Sequence, residues 1–175
     1  MLKPGDSAPT FDLPCAHDGK IGRLALSALR SEMVVLFFYP RDFSFICPTE
    51  VVGFHKAQLD FDAEHTSLVG VSIDDAETHR RWAIELGGLS YPLLADTDAQ
   101  IARQYGAYDE AEKVAMRATF VLDSTRKIVY AVASSINVGR SVSETLRVVR
   151  AFRSGRLCPA DWQPGDSVPA TDSKF

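Results

Sequence analysis

The sequence predicts an α/β domain with a mixed β-sheet between layers of helices. Strand-length apolar runs alternate along the chain with segments that carry apolar residues at helical spacing, an arrangement typical of three-layer α/β proteins. Residues 33–39 (MVVLFFY) form an unbroken apolar run, as expected of a strand buried on both faces of a sheet. Near the C-terminus, DSTRK separates two β-rich runs, which indicates a hairpin followed by a closing helix.

Each predicted element follows from a local pattern, in the order β-α-β-α-β-α-β-β-α. The strands are apolar or β-branched runs at residues 33–39, 68–73, 91–95, 118–122 and 128–134. The helices carry an apolar stripe and span residues 49–64, 75–86, 96–105 and 141–152. Gly53 weakens the first helix, and Asp74 or Asp75 can cap the second. Ser141 and Glu144 have capping-box spacing at the start of the last helix.

The 175 residues are enough for one compact domain with a sizeable core. Residues 156–175 are rich in Pro, Gly, Ser and Asp and are expected to form an extended arm without a core of its own. We therefore predict a domain at residues 1–155 and a C-terminal arm at residues 156–175.

Composition excludes several classes of function. A formal net charge of −4 with no basic cluster makes nucleic acid an unexpected partner. The longest apolar run, residues 33–39, is too short to cross a bilayer, so no membrane association is expected. The start, MLKPGDSAPTFDLP, lacks the continuous apolar stretch of a secretory signal, which predicts a cytoplasmic protein.

The cysteine pattern favours a reactive role for the thiols over structural disulfides. Cys15, Cys47 and Cys158 are too few and too scattered for a disulfide scaffold, and disulfides in a reducing compartment are usually transient and catalytic. The sequence contains no C-x-x-C, H-x-x-x-H, P-loop, G-x-G-x-x-G or G-x-S-x-G motif. Neither a metal site nor a bound cofactor is therefore expected.

Cys47 stands where a helix can begin, in FFYPRDFSFICPTE. With Pro48 at the first helical position, Cys47 would be the N-cap, and its thiolate could accept from the N–H groups of Thr49 and Glu50. The positive end of the helix dipole also stabilises a thiolate, which predicts a nucleophile. Residue type alone favours the alternative, a buried and inert thiol.

Glu50 is a negative charge close to that thiol, and it would disfavour a thiolate unless a cation offsets it. Arg117 and Arg140 each lie at the edge of a predicted element. We predict that Glu50 contacts at least one of these arginines and that Arg117 also reaches the Cys47 sulfur.

A cysteine–histidine hydrolase is a weaker hypothesis. His55 lies about two turns, ~12 Å, along the same helix and cannot touch the sulfur of Cys47. His17, His65 and His79 could approach the thiol only through tertiary folding.

The segment YPRDFSFICPTEVVGF resembles the signature of the peroxiredoxins, and GRLCPADWQPGD resembles the resolving-cysteine segment of their typical two-cysteine subgroup. The likeness continues through THRRW, RATFVLD and NVGRSVSETLR, and it includes the peroxidase component of bacterial alkyl hydroperoxide reductase. It implies a thioredoxin-like fold. The family motif P-x-x-x-T/S-x-x-C falls on Pro40, Ser44 and Cys47, with Arg117 as the active-site arginine.

The resemblance implies a thiol-dependent peroxidase. Cys47 would be the peroxidatic cysteine, and Cys158 would resolve its sulfenic acid across a dimer, giving a disulfide that thioredoxin or a flavoprotein reductase reopens. Family members often form a decamer of five dimers. Arg117, the Ser44 hydroxyl and the Cys47 N–H are suitable donors to the leaving oxygen, and Pro40 would shield the sulfur from water.

Several alternatives stay open beside that implication. Pro40 could be a plain strand terminator, Cys158 by itself could be an exposed bystander thiol, and Cys15 matches no functional position of the family. In a different class of function, the protein would be an oligomeric holdase chaperone in which cysteine chemistry is secondary. Such a chaperone should tolerate Cys47→Ser.

Overall fold

The protein folds around a seven-stranded mixed sheet, described here for residues 1–168 from a computed structural model. The strands of this sheet run in the spatial order β2-β1-β5-β4-β3-β8-β9 and span Asp12–His17 (β1), Lys20–Ala25 (β2), Met33–Phe38 (β3), Thr66–Ser72 (β4), Leu93–Ala95 (β5), Arg117–Leu122 (β8) and Ile128–Ser134 (β9). Tyr108–Asp109 (β6) and Val114–Ala115 (β7) form a separate small hairpin. The helices are Cys47–Lys56 (α1), Gln58–Ala63 (α2), Ala76–Glu85 (α3), Gln100–Gln104 (α4) and Val142–Arg153 (α5).

Strand directions confirm the predicted mixed sheet. β3, β4 and β5 are parallel, whereas β8 is antiparallel to β3 and β9 is antiparallel to β8. All six residues of β3 are buried, as its unbroken apolar run predicts. Its side chains alternate between two cores: Val34 and Leu36 belong to one, and Val35 and Phe37 to the other.

Helices cover both faces of the sheet, as predicted. Apolar side chains of α1, α2, α3 and α5 pack in the core that contains Phe37. The opposite core receives side chains of α4 and of the N-terminal segment, among them Ile101, Tyr105 and Phe11. Cys47 and Cys15 lie in different cores, on opposite faces of the sheet.

The sequence-based prediction missed the N-terminal hairpin of β1 and β2. Pro14 within β1 and the mostly exposed side chains of β2 hide the strand pattern. The available signal was the dipeptide Asp18–Gly19, whose φ angles of 50° and 70° form the tight turn between His17 and Lys20.

Two predicted helices differ in extent. The segment predicted at 49–64 is two helices, α1 and α2, which meet at Ala57. The helix predicted at 96–105 is only Gln100–Gln104, because the Asp96 carboxylate accepts from the N–H groups of Ile101 and Ala102 and Ala99 has a left-handed backbone. The Asp96 carboxylate therefore takes the place of the backbone acceptors that the first turn of the predicted helix would have supplied.

Helix caps were predicted more accurately. Asp75 is the N-cap of α3 and accepts from the N–H of Thr78. Ser141 is the N-cap of α5 and accepts from the N–H of Glu144. The Glu144 carboxylate binds Arg147 rather than completing a capping box.

Residues 156–168 of the predicted arm contain neither helix nor strand, and residues 169–175 lie outside the described part of the chain. Trp162 anchors this segment: its side chain is 6% exposed, and its carbonyl accepts from Arg147 Nη1 at 3.3 Å. Among the helices of residues 1–168, none has the length and apolarity needed to span a membrane.

Candidate active site

Cys47 lies at the first position of α1, immediately after the loop that leaves β3. The prediction that Cys47 is the N-cap was wrong by one residue: Ile46 is the N-cap, and Pro48 follows inside the first turn. The N–H of Thr49 donates to the carbonyl of Ile46 at 2.9 Å, because Ile46 has a helical backbone that closes this turn, so it does not serve the sulfur as expected. Cys47 still occupies the positive end of the helix dipole, and it is fully buried.

Two arginines and one glutamate form an ionic cluster beside Cys47, and one of the arginines reaches its sulfur. Arg117 Nη1 donates to the Cys47 Sγ at 3.4 Å and to Glu50 Oε2 at 2.6 Å. Arg140 Nε donates to Glu50 Oε1 at 2.9 Å, and its Nη2 donates to Oε2 at 3.1 Å. The prediction that Glu50 contacts these arginines and that Arg117 reaches the sulfur is confirmed.

Sheet register explains why Arg117 arrives beside Cys47. β8 runs antiparallel to β3, and Thr119 pairs with Phe37. Arg117, two residues earlier in β8, is therefore level with Tyr39, where the chain leaves the sheet toward Cys47. Two elements that are distant in sequence thus meet at one end of the sheet.

Backbone acceptors fix both guanidinium groups. Arg117 Nε donates to the carbonyl of Ile136 at 2.8 Å, and Arg140 Nη1 donates to the carbonyl of Ala118 at 2.9 Å. The Arg140 guanidinium also lies 5.6 Å from the centroid of the Phe37 ring. Since these contacts hold both side chains, the donors near the sulfur are preorganised.

Glu50 is ionised although it is buried. Burial opposes its ionisation, but the hydrogen bonds and charge of Arg140, together with the charge of Arg117, outweigh that cost and lower the pKa of Glu50. Two guanidinium charges then face one carboxylate. One of these guanidinium groups, that of Arg117, also donates to the Cys47 sulfur.

Pro40 and Ser44 lie on the loop between β3 and α1, on the path to Cys47. Pro40 is buried and Ser44 is half-buried. The Ser44 hydroxyl donates to the carbonyl of Arg41 at 3.2 Å. It can turn toward a bound substrate by rotation about χ1, since serine lacks the branch that restricts threonine.

Sequence reasoning missed a buried network beside this loop. The Asp42 carboxylate accepts from the Tyr39 hydroxyl at 2.8 Å and lies 2.7 Å from His79 Nδ1. The N–H of Asp42 donates to Asp74 Oδ2 at 2.9 Å. The Tyr-Pro-x-Asp spacing was visible in the sequence, but no local pattern connects Asp42 in this loop to His79 in the distant helix α3.

Asp42, Asp74 and His79 are also the one group of potential metal ligands in residues 1–168 whose ligand atoms lie within 4.8 Å of one another. The Asp42 carboxylate binds His79 and the Tyr39 hydroxyl. The Asp74 carboxylate accepts from the N–H of Asp42 and from the Ser72 hydroxyl. The hydrogen bonds account for the cluster without an ion.

The two other thiols have different surroundings. Cys158 is half-buried at the end of α5, with its sulfur 3.4 Å from the Ser154 hydroxyl and 3.7 Å from the carbonyl of Ala151. Cys15 is buried in β1, and burial raises the pKa of its thiol. All three cysteines are free thiols in this structure.

The hydrolase hypothesis finds no support in the histidine positions. His55 Nδ1 lies 2.9 Å from the Ser90 hydroxyl, and His79 is bound to Asp42. Within residues 1–168, the group that hydrogen-bonds to the Cys47 sulfur is the Arg117 guanidinium. A general base for a hydrolase is therefore missing from this part of the chain.

Comparison with known proteins identifies the family. The profile of the AhpC/TSA family matches residues 4–131. Peroxiredoxin prdx-2 of Caenorhabditis elegans is 39% identical over 174 residues, which cover 94% of this chain and 87% of the relative. The chain belongs to the peroxiredoxins. Peroxiredoxin-2 of Mus musculus is likewise 39% identical to this peroxiredoxin over 174 residues, covering 94% and 88% of the two chains.

Solved structures confirm the thioredoxin-like α/β fold of this peroxiredoxin. Reduced 2-Cys peroxiredoxin of Plasmodium vivax has a TM-score of 0.89 and 30% identity, covering 96% of this chain and 93% of that one. AhpC of Mycobacterium tuberculosis has a TM-score of 0.84 and 31% identity, covering 93% and 99%. The protein is a thiol-dependent peroxidase, and its substrates are hydroperoxides.

Proposed function

We propose that Cys47 is the peroxidatic cysteine of this enzyme. The observation that supports this role most directly is the single guanidinium nitrogen, Arg117 Nη1, that contacts both the Cys47 sulfur and Glu50. A donor held in this way stabilises the thiolate before the reaction and the departing oxygen during it. Glu50 and Arg140 support the site by fixing that guanidinium.

In the proposed reaction the Cys47 thiolate attacks the terminal oxygen of a hydroperoxide. The S–O bond forms as the O–O bond breaks, so Cys47 is oxidised to a sulfenic acid and the peroxide is reduced. The leaving oxygen takes a proton and departs as water or as an alcohol. Arg117, the Ser44 hydroxyl and the Cys47 N–H are the proposed donors to the peroxide oxygens, and Pro40 limits access of water.

Cys158 is the proposed resolving cysteine. Its thiol attacks the Cys47 sulfenic acid of a second protomer, forming the S–S bond and releasing water. Thioredoxin or a flavoprotein disulfide reductase would return the disulfide to two thiols. This cycle assigns the peroxidase reaction to residues 1–155 and the resolving step to the arm at residues 156–175. It is consistent with a cytoplasmic homodimer that can assemble into a decamer.

The arm must change position for this step. Cys158 is held against the last turn of α5 by contacts to Ser154 and Ala151, and Trp162 is buried nearby. Oxidation of Cys47 and release of the arm would therefore precede disulfide formation.

Non-reducing electrophoresis after one equivalent of hydrogen peroxide tests the resolving step. We expect a disulfide-linked dimer from the wild-type protein and from the Cys15→Ser control, and a monomer from Cys158→Ser. A monomeric internal disulfide, or a dimer band that persists in Cys158→Ser, would contradict resolution between protomers.

A further inference from the structure

A buried network fixes the loop that carries Ser44. Both oxygens of the Asp42 carboxylate are engaged, one by the Tyr39 hydroxyl and the other by His79 Nδ1, and the N–H of Asp42 binds Asp74. Tyr39 and His79 are fully buried, and Asp42 is 5% exposed. Hydrogen bonds in such a dry environment are costly to leave unmade, so they specify the loop position strongly.

The proton positions of His79 follow from its partners. Nε2 lies 3.0 Å from the carbonyl of Leu94, an atom that only accepts, so Nε2 carries a hydrogen. Nδ1 and the Asp42 carboxyl group then share one proton. The hydrogen bond between His79 and Asp42 forms whether that proton resides on the imidazole or on the carboxyl group. The contact between α3 and the loop is therefore kept in both protonation states.

The residue after Asp42 shows that the loop is held under strain. Phe43 has a φ angle of 53°, in the left-handed region that a bulky side chain rarely adopts. Such a conformation persists when surrounding contacts over-determine it. The Phe43 ring packs on Trp82 with 6.2 Å between ring centroids, and Trp82 is one turn along α3 from His79. One face of α3 thus secures two consecutive loop residues.

The sulfur and the loop are held by different parts of the molecule. Cys47 is placed by the start of α1 and by Arg117. Ser44 directly follows the strained residue Phe43, so the Asp42–His79 connection determines where its hydroxyl can point. Loss of that connection should disturb contacts with the peroxide more than the nucleophilicity of the sulfur.

We propose that Asp42 and His79 are positioning residues for the peroxide reaction, holding the strained loop so that the Ser44 hydroxyl can reach the bound peroxide. The inference rests on the proposed role of Cys47 and assigns a task to two residues that do not touch the sulfur. Neither residue takes part in bond making.

Two reagents separate this role from a general structural one. Hydrogen peroxide needs both a reactive thiolate and oriented donors, whereas iodoacetamide needs only an accessible thiolate. The rate of each reaction at Cys47 is measured in the full chain by quenching and peptide mass spectrometry. Asp42→Ala should lower the peroxide rate at least about tenfold and leave the iodoacetamide rate within about threefold of wild type.

Asp42→Asn is the conservative variant. Its amide oxygen can accept from the Tyr39 hydroxyl, and its N–H can donate to His79 Nδ1, so the peroxide rate should stay within about threefold of wild type. Asp96→Asn is the matched control, because Asp96 is another buried carboxylate but binds the N–H groups of α4. It should leave both rates unchanged. If Asp42→Ala does not fold, Tyr39→Phe removes one bond to the same carboxylate and should selectively lower the peroxide rate.

A smaller loss of peroxide rate in Asp42→Ala, an equal loss with iodoacetamide, or a failure of Asp42→Asn to restore the rate would each overturn the proposal. Should Asp42→Ala be unfolded, an unchanged peroxide rate in Tyr39→Phe would overturn it as well. The proposed function fails differently: wild-type Cys47 would then show no preference for hydrogen peroxide over iodoacetamide.

Discussion

At the scale of single residues, charge balance explains the environment of Cys47. Glu50 alone would disfavour an anionic sulfur, and Arg117 alone would be a buried charge without a carboxylate partner. Together with Arg140 they form a buried cluster of two positive charges and one negative charge. Both arginines thus share one carboxylate partner, and the Arg117 guanidinium also contacts the Cys47 sulfur.

The pKa of Glu50 gives a pH-dependent prediction for stability. Because its pKa is lower in the folded protein than the ordinary value of 4.5, ionised Glu50 stabilises the fold above about that pH. This contribution is lost as the pH falls through the folded-state pKa. Glu50→Gln should lower the free energy of unfolding at pH 7 by about 3 kcal/mol, and the difference from wild type should shrink below pH 4.5.

Urea unfolding at several pH values measures this effect. Glu110→Gln is the control, since Glu110 forms an ion pair with Arg103 at 2.7 Å on the surface and should contribute little. A difference between Glu50→Gln and wild type that is independent of pH would show that the Glu50 charge does not stabilise the fold.

At the scale of elements, helices and strands with strong local sequence patterns were predicted correctly. A helix boundary that is set by a side-chain hydrogen bond was not. The apolar run of β3 and the amphipathic α5 with its cap at Ser141 needed only neighbouring residues to be recognised. The start of α4 depends on Asp96, whose carboxylate takes the place of helical backbone acceptors. Such a competition between a side chain and the backbone is decided by tertiary structure, not by the period of apolar residues.

Gly70 in β4 shows how one element supports the site. A Cβ atom there would lie 2.7 Å from Leu93 Cδ2 and 3.0 Å from Phe37 Cζ. Phe37 in turn stacks on Phe54 of α1, with 4.3 Å between ring centroids. The absence of a side chain at Gly70 therefore lets the Phe37 ring fit between the sheet and the helix that carries Cys47.

Gly70→Ala should consequently reduce the free energy of unfolding by about 1–3 kcal/mol through overpacking. Gly22→Ala is the matched control, because Gly22 is also in a strand but its Cβ would have no neighbour within 4 Å. That variant should change stability by less than about 0.5 kcal/mol. Denaturant titrations with both variants test the comparison, and equal effects at the two positions would refute the packing explanation.

At the scale of the whole molecule, the site forms where several elements end together. Cys47 at the start of α1, Arg117 at the start of β8 and Arg140, two residues before α5, meet at one end of the sheet. Residue types and element edges were enough to predict this meeting. The exact register of α1 and the connection between Asp42 and His79 were not predictable, because both depend on contacts made only after folding.

The arm and the thiols also divide between the two faces of the molecule. Cys15 belongs to the core opposite Cys47, and Cys158 is held on α5 by the segment anchored at Trp162. Cys47 and the helix that Cys158 contacts thus belong to one face of the sheet, and Cys15 belongs to the other.

The most direct test identifies the thiol that reacts first. Reduced Cys158→Ser protein is treated with one equivalent of hydrogen peroxide in the presence of a dimedone probe, which labels sulfenic acids, and the modified peptide is located by mass spectrometry. We expect the label on Cys47. A label confined to Cys15, or peroxide consumption without a sulfenic acid at Cys47, would contradict it.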